Sequence, residues 1–291
     1  VGWRQALLLI KETWALYQRQ RGPRMAAALA YYAIFSLAPL LVIAVSVAGL
    51  FVSRREALGQ LYAQVYQVAG QEVANFVLRM LEPSFRESTS VLAAAIGLAT
   101  LLWGALGIFV QLRDALNELW EVPPPPGLNI REFLRTYAVS LPLVALAGLL
   151  LLALVIAATA LSALEDWRDG LQGLVQVVNL VVVTAITALL FGVVYKVVPA
   201  RQLPWRAVIV GAGVTAVLFL LGRIVLAFYL TRFAPGSAFG AAGALVVLLL
   251  WAQYSAQIVL LGAAFTRVWA QRHALPLASA PAKGGDRTEP A

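Results

Sequence analysis

The sequence predicts an all-α fold, a polytopic integral membrane helical bundle of six transmembrane helices with amphipathic interfacial and external helices added to it. Three observations predict it. Of 291 residues, 61% are hydrophobic and 12% charged, with a mean hydropathy of +0.82, where soluble domains run about 45–50% apolar and about 25% charged. Long stretches without charge recur along the chain, and Lys and Arg gather in alternate connections.

The first span lies within Ala26–Ser53, the second within Ser88–Leu112, the third within Thr136–Leu164 and the fourth within Gly170–Tyr195. Each exceeds the roughly 18 apolar residues that mark a spanning helix. The fifth, Ala207–Leu230, is interrupted by Arg223, and the sixth lies within Phe233–Thr266, whose Pro235 and Gly236 read as loop. Fifteen of the 22 Lys and Arg fall on the side of the N-terminus, six on the other and Arg223 inside a span. By the positive-inside rule both termini are cytoplasmic, which requires an even number of spans. With the acids included, the two sides carry about +8 and −1, so the net charge of +8 is a topology signal.

Two helical segments do not span. Over residues 1–24, Leu7, Ile10, Trp14 and Tyr17 recur at three- and four-residue steps beside Arg4, Lys11 and Arg19, the pattern of a basic helix lying in the cytoplasmic interface. Its lack of a long apolar run and a small-residue cleavage site argues against a signal peptide. From about 56 to 81, Leu58, Leu61, Val65, Val68, Phe76 and Met80 share a face against Gln60, Gln64, Gln67, Gln71 and Glu72. This predicts an external amphipathic helix broken at Gly70. The spanning domain is thus 25–270, with Pro123–Pro126 a stiff connector and 271–291 a disordered cytoplasmic tail.

The chemistry available is narrow. With no cysteine and one histidine, His273, disulfides, thiolate sites and histidine-based triads lack material. No cofactor or metal site is expected, and no enzyme. Arg223 is the sharpest residue, because a cation within a span costs about 2.5–3.5 kcal/mol on insertion scales and needs a partner or water. It reads either as a structural side chain, snorkelling or bonded to a carbonyl, Gln253 or Gln257, or as an anion or headgroup site. The spans carry no deep Asp or Glu, which argues against coupling through a buried carboxylate.

Other intramembrane polar residues are neutral: Tyr31, Tyr32 and Ser36 in span one, Asn179, Thr184 and Thr187 in span four, Tyr229 in span five, and Trp251, Gln253, Tyr254, Ser255 and Gln257 in span six. Such groups commonly bond helix to helix. Pro39 predicts a kink in span one, either a hinge or a static bend. Gly236 and Gly240, followed by Ala241 to Ala244, offer a close-packing surface, with hinge positions at the two glycines. At the end of span two, Arg113, Asp114, Asn117, Glu118 and Glu121 form a cytoplasmic polar turn. A cation site there is weighed against an ion-pair network with Arg131, Arg135, Arg201 and Arg206.

Four stretches then become familiar: AAALAYYAIFSLAPLLV in span one, LLWGALGIFVQLRDALNELWEVP ending span two, VVYKVVPARQLPWRAVIVGA across the fourth connection, and FGAAGALVVLLLWAQYSAQIVLLGAAFTRV in span six. In order and spacing the chain resembles the YihY/BrkB family of bacterial inner-membrane proteins over roughly Trp14–Gln271. The resemblance implies six helices with both termini inside, and transport roles including movement of lipid or lipid-linked molecules. An older ribonuclease label on that family finds no catalytic material here. Many members carry Glu where this chain has Ala264, and Tyr where it has Phe239.

The leading expectation is a transporter of amphipathic, lipid-like anionic substrates, with a cavity among spans one, five and six. Its substrate-binding set is Arg223, Tyr31, Tyr32, Ser36, Tyr229, Trp251, Gln253, Tyr254 and Gln257. A channel or cation/proton exchanger is the first alternative and a membrane scaffold the second. Expected partners are membrane lipids, including anionic headgroups, and no nucleic acid, with homo-oligomerisation left open.

Overall fold

A computed structural model describes residues 3–48, 53–85, 107–122, 172–200, 203–233 and 240–273. Over these the chain forms helices α1 (Trp3–Arg19), α2 (Gly22–Ala48), α3 (Arg54–Phe85), α4 (107–119), α5 (Gln172–Val197), α6 (Trp205–Phe233) and α7 (Gly240–Arg272), with no strand among the described residues. Leu180–Val197, Trp205–Leu226 and Gly243–Arg272, in α5, α6 and α7, are long and apolar enough to cross a membrane. The predicted span Thr136–Leu164, most of Ser88–Leu112 and the tail after His273 lie outside the described residues. Helix α2 passes through Pro39 as one 27-residue helix. At 33 residues, α7 measures about 50 Å, enough to reach from one membrane interface to the other.

Helix α7 is the central element, packed against α1, α2, α3 and α6. Its seam with α6 is antiparallel and reciprocal. A Cβ on Gly211 would overlap the Thr266 hydroxyl, and a Cβ on Gly262 would overlap that of Thr215, so each glycine leaves the space that the opposite threonine fills. Thr215 donates to the Gly211 carbonyl and Thr266 to the Gly262 carbonyl, both at 2.7 Å. These bonds to position i−4 satisfy the hydroxyls inside each helix, as an apolar solvent demands. The Tyr195 hydroxyl of α5 adds a donor to the Val259 carbonyl at 2.7 Å and lies 3.0 Å from Thr215 Oγ1. The close approach of α7 is therefore made at Gly262. In the small-residue run, Ala244 is fully buried against α3, while Gly236 lies outside the described residues.

In α3 the helix is interrupted at Gly70, where φ is 83° and ψ is 176°, a backbone region essentially reserved for glycine. The interruption resets the helical phase. After it the buried side is Val73, Ala74, Val77 and Leu81, packed with Val247 and Ala244 of α7 and with Leu41 of α2, while Phe76 packs at the edge. The break falls at Gly70 as the sequence pattern predicts, and Leu58, Leu61 and Val65 before it pack on the same cluster as Phe76 after it.

At the opposite end α1 folds against the bundle through Leu16 and Tyr17, with Thr13 buried beside them and bonded to the Leu9 carbonyl. Tyr17, read from the sequence as part of the interfacial stripe, is 3% exposed and packs over Gly22 at the turn into α2. Its hydroxyl has no hydrogen-bond partner among the described residues. Burial pushes its pKa up to about 12, so it stays neutral.

Replacing Gly211 or Gly262 by Val should lower thermal stability in detergent by overpacking, at a cost of about 1–3 kcal/mol. Pairing Gly211→Ala with Thr266→Ala should recover part of the loss. Tyr17→Phe removes a buried hydroxyl that carries a desolvation cost of about 1–3 kcal/mol, and its melting temperature should match or exceed wild type.

Candidate functional site

Beyond the Gly/Thr contacts the α6–α7 seam opens. Tyr254 packs against the backbone of Gly222, and next to it lies a cavity of about 150 Å³ lined by Phe219, Arg223 and Leu226 of α6 and by Trp251, Tyr254, Ser255 and Ile258 of α7. Phe219, Gly222 and Leu226 recur at three- and four-residue steps and face α7. Arg223 sits one position round, at the rim of that stripe, and is exposed on its outer side. It has no hydrogen bond or ion pair among the described residues. The cavity thus combines one cation, three aromatic rings and a serine hydroxyl, with no carboxylate.

Of the expected binding set, the structure brings together Arg223, Trp251 and Tyr254. Gln253 and Gln257 lie on another side of α7 and do not line the cavity, so neither is the partner considered for Arg223. The cavity lies between spans five and six, without the expected contribution of span one. Tyr31 is exposed, its ring 4.8 Å from that of Phe35 in a tilted contact and 5.7 Å from that of Tyr32 edge to face; Tyr32 packs against Gly107 of α4. Ser36 bonds its own helix at the Ala33 carbonyl. The side chains of Tyr229 and Pro39 lie outside the described residues. Phe219, Leu226, Ser255 and Ile258 complete the cavity; Ser255 is one of the polar residues of span six, and only spacing from Arg223 and Trp251 could have marked the other three.

A second polar cluster forms at the end of the bundle that holds α1 and the C-terminus of α7. Helix α4 ends with Val122 N–H donating to the Asn117 carbonyl at 2.9 Å and Glu121 N–H to the Glu118 carbonyl at 3.1 Å. This is a Schellman cap, whose left-handed position usually holds glycine. Here it holds Glu121, with φ at 53°. The strain, about 1–2 kcal/mol, turns its carboxylate back toward α7. There Arg267, only 8% exposed, donates to Glu121 at 2.6 Å and to the Leu119 carbonyl at 2.5 Å. Gln20 donates to the other Glu121 oxygen at 3.1 Å, and Trp120 Nε1 to the Ala263 carbonyl at 3.2 Å. A fork from Arg272 to Glu12, at 2.6 and 2.8 Å, ties α7 to α1.

Of the polar turn expected there, Glu121 joins this cluster. Asn117 accepts from the Ala200 N–H at 2.9 Å and so holds the α5–α6 connection. Asp114 and Glu118 point to the exposed side, and no group of three potential metal ligands forms among the described residues. The partner of Glu121 is Arg267, which the sequence reading did not single out; Arg131, Arg135 and Arg201 lie outside the described residues. Ala264, where relatives were expected to carry Glu, is fully buried in the same core.

Fold and site together define a helical membrane protein with a cation in a long apolar helix beside an aromatic cavity and a charged clamp at one end. The chain belongs to the BrkB family: residues 13–286 match the family described as Virulence factor BrkB. It is 29% identical over 242 residues to a UPF0761 membrane protein of Nitrosospira multiformis, an alignment covering 82% of this chain and 55% of that one. It is 25% identical over 266 residues to a UPF0761 membrane protein of Mannheimia succiniciproducens, covering 91% and 90%. The chain therefore spans about half the length of the first relative and nine-tenths of the second. No solved structure matches it.

The Arg272 guanidinium bonded to Glu12, and that of Arg267 bonded to Glu121, hold both carboxyls below their usual value of 4.5. As pH falls, the unfolded chain therefore takes up protons first. The stabilisation is complete above about pH 4.5 and is lost as pH drops through the lowered values. Thermal melts between pH 7 and pH 3 should show this loss. Glu121→Gln should melt lower at pH 7 and lose less on acidification.

Proposed function

We propose that the chain is a six-span protein of the bacterial inner membrane, with both termini in the cytoplasm, that moves lipid-like or amphipathic anionic substrates across or between leaflets without acting as an enzyme. The observation that carries this reading is Arg223, a cation within a span with no anionic partner among the described residues, at the rim of an aromatic cavity. An intramembrane cation without a partner is costly, and a bound anion removes that cost.

Size sets the substrate class. A cavity of about 150 Å³ holds a group the size of a benzene ring, and pockets for whole drug-sized ligands start near 300 Å³. The site therefore takes a headgroup and leaves acyl chains outside, along exposed Leu221, Ile224 and Val225 of α6. No carboxylate is buried among the described residues, which supports an anion-binding role over a proton or cation exchanger.

Native mass spectrometry of protein purified in mild detergent should detect a selectively retained anionic lipid that is lost in Arg223→Leu and partly kept in Arg223→Lys. The Leu variant should stay folded, with an unchanged or higher melting temperature, while substrate movement in proteoliposomes drops. Equal lipid retention and equal movement in wild type and variant would remove Arg223 from the mechanism.

A further inference from the structure

Helix α1 has two apolar faces, and the bundle covers one. Leu16 and Tyr17, with Leu9, pack on the core. Trp3, Leu7, Ile10 and Trp14 form a second stripe, recurring at steps of four, three and four residues within a helical arc of about 60°. All four are exposed, from 42% at Leu7 to 79% at Trp3. Arg4 and Lys11 stand along one edge of this stripe, about 80° round the helix, with no ion-pair partner among the described residues.

Position and charge indicate what covers the stripe. The Glu12–Arg272 fork fixes α1 to the last turn of α7, and a helix of about 50 Å exceeds the whole bilayer thickness of about 40–45 Å. Helix α1 therefore sits at membrane-surface level, where tryptophan is favoured and an in-plane helix buries its apolar face at the headgroup boundary. A second copy of α1 would bring two basic edges together. The acid of this helix, Glu12, is already engaged by Arg272.

We propose that α1 docks its Trp3, Leu7, Ile10 and Trp14 face into an anionic bilayer surface, with Arg4 and Lys11 on the lipid headgroups. Docking would fix the tilt and depth of α7, and with them the level of the cavity in the membrane. This surface is independent of the headgroup reading at Arg223.

The absence of cysteine from the chain makes single-cysteine labelling direct. Full-length Ile10→Cys and Gln5→Cys, each carrying an environment-sensitive fluorophore, would be compared in vesicles of phosphatidylcholine with and without phosphatidylglycerol. The expected result is blue-shifted emission and quenching by spin-labelled lipid at position 10 but not at position 5. The position-10 signal should strengthen with phosphatidylglycerol and lose that dependence in Arg4→Gln/Lys11→Gln, with the docked-to-undocked ratio falling about fivefold per charge removed. Equal aqueous exposure at positions 5 and 10 in both vesicles would overturn the proposal. So would oxidative crosslinking of unlabelled Ile10→Cys into dimers, which would assign the stripe to a second copy. Elution as a single folded species, required of every variant, separates these outcomes from misfolding.

Discussion

The seam between α6 and α7 sets much of the rest. Inside a bilayer no hydrophobic force holds one apolar helix to another, so association relies on close packing and internal hydrogen bonds. Gly211 with Thr266 and Gly262 with Thr215 provide both, because each threonine hydroxyl is satisfied within its own helix while its methyl-sized bulk enters the opposite groove. Tyr195 brings α5 to the same point through the Val259 carbonyl. Once the helices are pinned there, larger side chains further along force them apart. The cavity beside Arg223 is the volume left between Phe219, Trp251 and Tyr254.

The clamp around Arg267 does for the end of the bundle what the seam does for its middle. A guanidinium that is almost fully buried is tolerable only with its donors occupied, and the Leu119 carbonyl and the Glu121 carboxylate occupy them. The cost appears in the backbone, where Glu121 takes a left-handed conformation that glycine would adopt without strain. A glycine would cap α4 equally well but could not reach Arg267. Gln20 bonds Glu121, and the separate Glu12–Arg272 fork ties α1 to the last turn of α7, so hydrogen bonds link α1, α4 and α7 at this end.

Legibility in the sequence followed the contrast between the faces of each segment. Gly70 and the amphipathic pattern around it were readable because charged and glutamine side chains alternate with apolar ones there. Arg223, Trp251 and Tyr254 stood out as polar or aromatic residues in apolar surroundings. Gln253 and Gln257 stood out equally and lie on another side of α7, since within a span nearly every position is apolar and periodicity cannot assign a face. Arg267 did not stand out for the opposite reason: a charge normally ends a span, and nothing local tells that its partner lies 146 residues away at Glu121.

Composition, charge segregation and run length by themselves determined that this is a helical membrane protein, that Lys and Arg gather in alternate connections, and that Arg223 lies within a long apolar run. These are properties of each segment against its solvent, and the bilayer reads them locally. Tertiary structure alone decided which glycines meet which threonines, that Tyr17 joins the core while Trp14 stays exposed, that Glu121 pairs with Arg267, and that the cavity opens between α6 and α7 without α2. Those outcomes depend on the rotation and depth of one apolar helix against another, which nearly uniform hydrophobic surfaces leave undetermined until side chains of particular shape interlock.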